Sequence, residues 1–585
     1  MKRFKYIVCG AIMATLPLIS SCEDEFLDKP AIGALSDQVL ANKAGVEKLL
    51  IGAYGALDGI GIGNWETSPT NWVYGSVAGG DAHKGSNGAD QPGINPIATF
   101  SIDPSNGFIN LKWRAMYEGI SRTNSVLNLL SKAEDVTEGD RQRIEAEARF
   151  LRGHYYFELK KMFNMVPWID ETTTDFNQPN NVDIWPNIEA DFQFAMDNLP
   201  NTQAEVGRAN KWAAAAYLGK AYMFEHKFAE AKAIFDKVIS EGVTSNGLKY
   251  GLVDKFKDNW TASAENNKES VFAIQMVAND GTNDIANANQ GEMLNYPYNS
   301  PFRCCGFYQP TLDLANSYRT TAQGLPEPDS YNSDALKTDQ GIGSDQSFTP
   351  DQGPVDPRLD WTVGRRGIPF LDWGLHPGSA WIREQSSAGP YSSEKHVYWQ
   401  ATAETYSDQH SWAPGSAINV LVIRFADVLL MAAEAEAQLG NLSQAETYVN
   451  MVRARAARPE NVVNTYKNPA KPLEGFTSTP AANYKIATYA DGYFSSIGQQ
   501  KALEAIYFER KLELALEGHR FFDLVRWGIA DKVLNNFFNY EGSRIPDVKE
   551  GNFVKGKNEY FPIPQRQIDL QTVDGVSVLT QNPGY

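Results

Sequence analysis

Cysteine is nearly absent from these 585 residues, and the few that occur are badly placed for cross-linking. Of the 4, Cys9 and Cys22 lie near the start and Cys304 and Cys305 are neighbours, so no disulfide framework holds the fold. The adjacent pair reads as two partly buried thiols, with a strained vicinal disulfide as the alternative. No C-x2-C spacing exists, and the 7 His are scattered with no pair at helical i, i+4 separation. Nothing therefore calls for a metal; Ca²⁺ held by loop carboxylates has no motif behind it. Basic runs are missing too. Asp and Glu outnumber Lys and Arg by 71 to 53, which argues against nucleic acid as a partner. After the first 21 residues no apolar stretch is long enough to span a bilayer. The catalytic signatures G-x-S-x-G, H-E-x-x-H, G-x-x-x-x-G-K-[ST] and G-x-G-x-x-G are all absent. Gly59-Ile60-Gly61-Ile62-Gly63 has the wrong spacing for a phosphate loop. The chain reads as a non-enzyme with no cofactor. Paired acids of a glycoside hydrolase are the enzymatic alternative, because they are defined by their separation in space rather than in sequence.

What is present begins at the N-terminus. Lys2, Arg3 and Lys5 form a basic head, Tyr6–Ile19 is a short apolar run, and Leu18-Ile19-Ser20-Ser21-Cys22 resembles a bacterial lipobox. Residues 1–21 are read as a lipoprotein signal peptide, Cys22 as the lipidated residue, and 22–35 as a tether. Acyl chains on Cys22 would anchor the protein to a membrane that it does not cross. Glu23-Asp24-Glu25 resembles the surface-export signal of Bacteroidetes lipoproteins.

Helical periodicity dominates two regions, about 36–241 and 416–530. Ser36–Leu57, Phe108–Ala133, Glu138–Asn164 and Asp183–Asn198 each carry an apolar face. In Lys211–Glu241 the apolar and small residues Trp212, Ala215, Ala216, Gly219, Tyr222 and Met223 define one amphipathic helix. Phe228, Ala231, Ile234, Phe235, Val238 and Ile239 define a second, joined so tightly that the two must be antiparallel. Leu218-Gly219, Tyr222, Ala231 and Phe235 follow the spacing of a tetratricopeptide (TPR) repeat. Ala433, Ala445 and Val449 repeat the offsets of Gly219, Ala231 and Phe235, so the repeats are dispersed rather than tandem. Between these regions, about 242–415, the periodicity fails apart from a strand near Val271–Val277 and a short helix near Thr311–Tyr318. This insert is punctuated by Gly, Pro, Asp and Ser, with aromatic rings spaced through it. Gly59–Pro104 is a similar stretch. Residues 559–585 read as an extended tail.

Four stretches together resemble the SusD/RagB family of Bacteroidetes outer-membrane nutrient-binding lipoproteins. They are Cys22–Asp28, the helix at Ala148–Ile169, the helix at Arg424–Gly440, and Glu509–Gly528; the ending YFPIPQRQIDL…LTQNPGY adds a fifth. The resemblance implies a mainly α, SusD-like single domain over 36–585, with TPR-like helix pairs as a scaffold and a large irregular insert. It further implies a surface-exposed, lipid-anchored outer-membrane protein that binds oligosaccharides and passes them to a SusC-like TonB-dependent transporter. Peptide uptake through a TPR-type surface, as in RagB-like members, is the alternative. The charged residues of its helical motifs, Arg149, Arg152, Glu158, Arg510, Glu513, Glu517, Arg520, Asp523 and Arg526, read as interhelix ion pairs and helix-end contacts rather than as a site.

A sugar presents a C–H face and a rim of hydroxyls, so its receptor needs aromatic planes beside Asn, Asp or basic side chains. Asn71, Trp72, Tyr74 and Asp81 have that composition, and their place after the first helix matches a ligand loop implied by the resemblance. Tyr296 and Tyr298, with Trp361 and Trp373, are expected to supply the other side. Arg365 and Arg366 are expected to be structural.

Overall fold

The computed structural model describes residues 37–60, 65–282 and 287–585. The signal peptide, the lipidation site Cys22 and the tether lie outside the described residues. Among the described residues the α-helices of seven or more residues are α1 (Lys43–Gly55), α2 (Gly107–Lys132), α3 (Glu138–Phe163), α4 (Trp185–Asn198), α5 (Lys211–Phe224), α6 (Phe228–Glu241), α7 (Phe425–Gln438), α8 (Leu442–Ala456), α9 (Gln499–Glu513), α10 (Arg520–Arg526) and α11 (Ala530–Glu541), and the short helix expected near Thr311–Tyr318 is Leu312–Ser317. Side chains set several of their starts. Asn42 accepts the Gly45 N–H, Thr137 that of Asp140 and Asn210 that of Ala213, each relieving an orphan donor of the first turn.

Neighbouring helices pack in sequence from α2 to α6, and α7 packs on α8. The repeats that sequence separates are adjacent in space, since α6 lies against α7 and α7 against α9. The turn between α5 and α6 is tight because Gly219 faces Phe235; a Cβ there would come within 2.5 Å of the ring. One expectation is revised. Helix α5 is buried nearly all round rather than along one stripe, because α4, α6 and α7 all contact it.

Burial on that scale traps charge, and the frame answers with ion pairs. The Glu513 carboxylate receives Arg358 at 2.9 Å and Arg424 at 2.6 Å, and also pairs with Arg455. Glu517 takes Arg424 at 2.8 Å and Lys395 at 2.7 Å. Arg510 joins Asp427 and Asp523, while Arg526 joins Glu434 and Asp523. On the other flank Arg149 and Arg152 share Asp191 at 2.8 and 2.7 Å. These residues are structural ties between helices, as their apolar surroundings require. Among the described residues of the expected set, Glu158 pairs within its own helix, with Lys161 at 2.6 Å, and Arg520 has no ion pair.

The strands are short: β1 (Ala82–Gly85), β2 (Ser270–Ile274), β3 (Phe307–Pro310), β4 (Val363–Gly364), β5 (Ser392–Ser393), β6 (Val420–Arg424), β7 (Asn464–Tyr466) and β8 (Phe476–Pro480). They pair antiparallel as β1–β3, β2–β6, β4–β5 and β7–β8. The β2–β6 pair closes the insert at its base and leads directly into α7. The tail departs from the expected extended form: it contains a turn of helix, Gln565–Leu570, and a small hairpin, Thr572–Val573 with Val576–Ser577. Cys304 and Cys305 are joined as a vicinal disulfide rather than left as thiols.

Candidate ligand-binding site

The first expected platform lies inside the protein. Asn71, Trp72, Tyr74 and Asp81 are all buried, Trp72 completely. Residues Trp72–Val77 wind into a π-helical turn whose Gly75 sits against Gly518; a Cβ on Gly75 would collide with the Gly518 carbonyl. Trp72 packs on Phe307 and Tyr308, and Asn71 donates to the Glu158 carboxylate at 2.9 Å. Burial pushes the Asp81 carboxyl up to about 6, against the pull of Arg520 and Lys511. These four residues offer no face to a ligand, which corrects the expectation. The run Trp72-Val73-Tyr74 is continuous apolar sequence, and such a run buries itself when helices surround it.

Tyr296 is also buried, stacked on Phe302 at 5.3 Å inside an aromatic cluster of the insert. Tyr298 is half-buried, with the Arg383 guanidinium 5.4 Å above its ring and Asp90 holding that guanidinium at 2.7 Å. Trp373 is half-buried too; its Nε1–H donates to the Tyr398 carbonyl at 2.8 Å and its ring meets Phe302 edge to face. Trp361 donates its Nε1–H to the Asn461 carbonyl at 2.7 Å, packs on the same aromatic cluster as Tyr296, and lines a cleft that Tyr296 does not reach. Arg365 makes a bidentate pair with Asp360 and Arg366 donates to the Ser344 carbonyl, so both hold the insert together.

Two other tryptophans meet at the rim, one exposed and one half-buried. Trp412 is 53% exposed, and Trp65 stands perpendicular to it, at 88° with centroids 6.4 Å apart. The loop under Trp412 is held at several points. Arg303 donates to the carbonyls of Gln409 and Ser411, both at 2.6 Å. The Asp408 carboxylate accepts the N–H groups of His410 and Ser411, and Asp408 N–H closes on the Gly415 carbonyl. Burial alone would raise the Asp408 pKa, but those donors bring it below the usual carboxylate value. On the Trp65 side, the hydroxyl of buried Tyr74 lies 2.8 Å from the Glu66 carbonyl and Lys112 donates to the Ser68 carbonyl. Tyr74, expected to touch ligand, thus instead holds the backbone just after Trp65. The sequence signal for this pair was local: Gly63-Asn64-Trp65-Glu66 and His410-Ser411-Trp412-Ala413-Pro414 place each ring among turn-forming residues, where a core position is improbable. Among the described residues no group of three or more His, Cys, Asp and Glu side chains is arranged to hold a metal ion.

Comparisons with known proteins agree with this architecture. The model described as "SusD family" matches residues 268–585, and one described as "Starch-binding associating with outer membrane" matches 36–223. SusD-like protein P25 of Formosa agariphila is 24% identical over 540 residues, covering 88% of this chain and 89% of that protein. A solved laminarin-binding SusD-like protein superposes with a TM-score of 0.64 at 24% identity, over 93% of this chain and 100% of the other. Surface glycan-binding protein A from Bacteroides thetaiotaomicron, solved with laminarihexaose, gives 0.63 at 20% identity, over 92% and 99%. With one of these models spanning more than half of its length, the chain belongs to the SusD family.

Proposed function

We propose that this protein captures oligosaccharides at the outer face of the outer membrane, held there by a lipid on Cys22, and delivers them to a SusC-like TonB-dependent transporter. The observation that carries the binding step is the perpendicular Trp65–Trp412 pair, in which half-buried Trp65 stands beside exposed Trp412. One indole stacks on the C–H face of a pyranose while the other closes against its edge, and the pinned loop under Trp412 needs little ordering when a ligand arrives. Family membership and the glycan ligands of the structural neighbours support the same reading. Binding and hand-over make and break no covalent bond, so the protein acts as a receptor and not as a hydrolase.

Native gels cast with individual polysaccharides test this. At least one glycan is expected to retard the protein, and Trp412→Ala is expected to abolish that retardation without changing the melting temperature. A protein that ignores the glycan panel but binds peptides overturns the reading in favour of peptide uptake. Release of sugar from any polysaccharide overturns the receptor role.

A further inference from the structure

A second aromatic site lies apart from the Trp65–Trp412 rim. Trp361, Trp399 and Phe476 come from three distant segments and line one cleft of about 540 Å³, a volume in the range of small-ligand sites. Both indoles are fixed by their N–H edges, Trp361 on the Asn461 carbonyl and Trp399 on the Thr261 hydroxyl at 3.2 Å, so their faces stay half open. Asp372 accepts the N–H groups of Gln400 and Ala401 at 2.6 and 2.9 Å and sets the turn below Trp399.

Glu394 also lines the cleft although it is only 1% exposed. Its Oε1 accepts the Leu371 N–H at 3.0 Å, while Oε2 has no hydrogen bond to the described protein. Burial raises its pKa well above the ordinary carboxylate value, against the pull of nearby Lys257, and so favours the protonated form. Lys257 has no donor to spare, because its ammonium serves the carbonyls of Glu394, Lys395 and Val397 at 3.1, 2.8 and 3.0 Å.

We propose that this cleft is a second carbohydrate site, which admits neutral pyranose rings between Trp361 and Trp399, with Glu394 bonding a hydroxyl, and refuses acidic sugars. The inference rests on the glycan-binding reading above. Refusal of acidic sugars follows from the balance of the lining: Asp258, Asp372 and Glu460 face the cleft against the one exposed cation, Lys255, while buried Lys257 spends its donors on carbonyls.

Calorimetric titration of the full mature protein separates the possibilities. The probes are laminarihexaose, cellohexaose and mannohexaose, with hexagalacturonate as the acidic control. A neutral hexasaccharide is expected to fill two sites per chain, and hexagalacturonate is expected not to displace it from the cleft. Trp361→Ala is expected to weaken one of the two sites roughly tenfold or more. Ala401→Trp, which fills the exposed lip of the cleft without disturbing packed residues, should remove the same site, and Trp412→Ala the other. If a hexasaccharide binds at one site that Trp412→Ala removes and both cleft variants leave unchanged, the second site falls and the receptor reading stands. If none of the neutral probes binds the wild type, both fall.

Discussion

Helix α9 and the loop around Trp412 use polar groups in opposite ways. Along α9, Glu509 and Glu513 lie in the interior and their oxygens are taken up by Arg358, Arg424, Arg453 and Arg455. Every charge is answered, and nothing is left for a ligand. Around Trp412 the backbone carbonyls and the Asp408 carboxylate are also answered, by Arg303 and by local N–H groups, yet the ring they support faces outward. Dense hydrogen bonding makes a rigid frame in the first case and a rigid platform in the second. A charged cluster in this protein therefore marks the frame, and the proposed site rests on an aromatic ring among turn residues instead.

The comparison breaks most severely if the frame loses one member of its network. Glu513→Ala leaves Arg358, Arg424 and Arg455 buried without their shared carboxylate and is expected to cost about 3–5 kcal/mol, read as a lower urea midpoint. Trp72→Ala is expected to cost about 3–5 kcal/mol by emptying a core position. If that variant instead melts like the wild type and loses only glycan retardation, the assignment of Trp72 to the frame is wrong.

Acid should attack the frame before the platform. Burial alone would raise the Glu517 pKa, but Arg424 and Lys395 bring it down from 4.5 to about 2. A depressed carboxylate contributes its full stability above the unfolded value and loses it as pH falls toward the folded one, so the loss lies between about 4.5 and 2. Glu158, also brought down to about 2 by Lys161 and Lys112 against its burial, adds to the same window. Melting temperature is expected to hold from pH 7 to 5 and to drop steeply by pH 3. A flat profile would contradict the ion-pair account.

Gly219→Ala is a milder test, since its new Cβ must push the Phe235 ring aside, at an expected ~1–3 kcal/mol in chemical denaturation. Trp412→Ala should be the gentlest of all on the fold, within about 0.5 kcal/mol of wild type, because the ring is mostly in solvent. Its whole effect is expected in binding.

Much of the frame was legible from periodicity alone. The boundaries of α2, α3, α5 and α6 were within a residue or two, and Gly219 opposite Phe235 followed from spacing. The ion-pair role of Arg510, Glu513, Asp523 and Arg526 was legible too, since charged residues on helices so apolar have to pair. The site was less so. Tyr298 and Trp361 keep partly open surroundings, whereas Trp72, Tyr74 and Tyr296 are packed away, and composition does not distinguish these fates. An aromatic residue beside Asn and Asp has the same chemistry in a core as on a rim.

The sequence by itself determined the helices, the family, the dispersed hairpins and the absence of metal-binding and catalytic motifs, because each is written in local spacing. Only the tertiary structure decided that α6 would lie on α7, that Glu513 would gather three arginines, and that Trp65 would meet Trp412 across 347 residues of chain. The reason is physical. Periodicity records which face of an element avoids water, whereas exposure and the angle between two rings depend on which distant segments arrive to cover them.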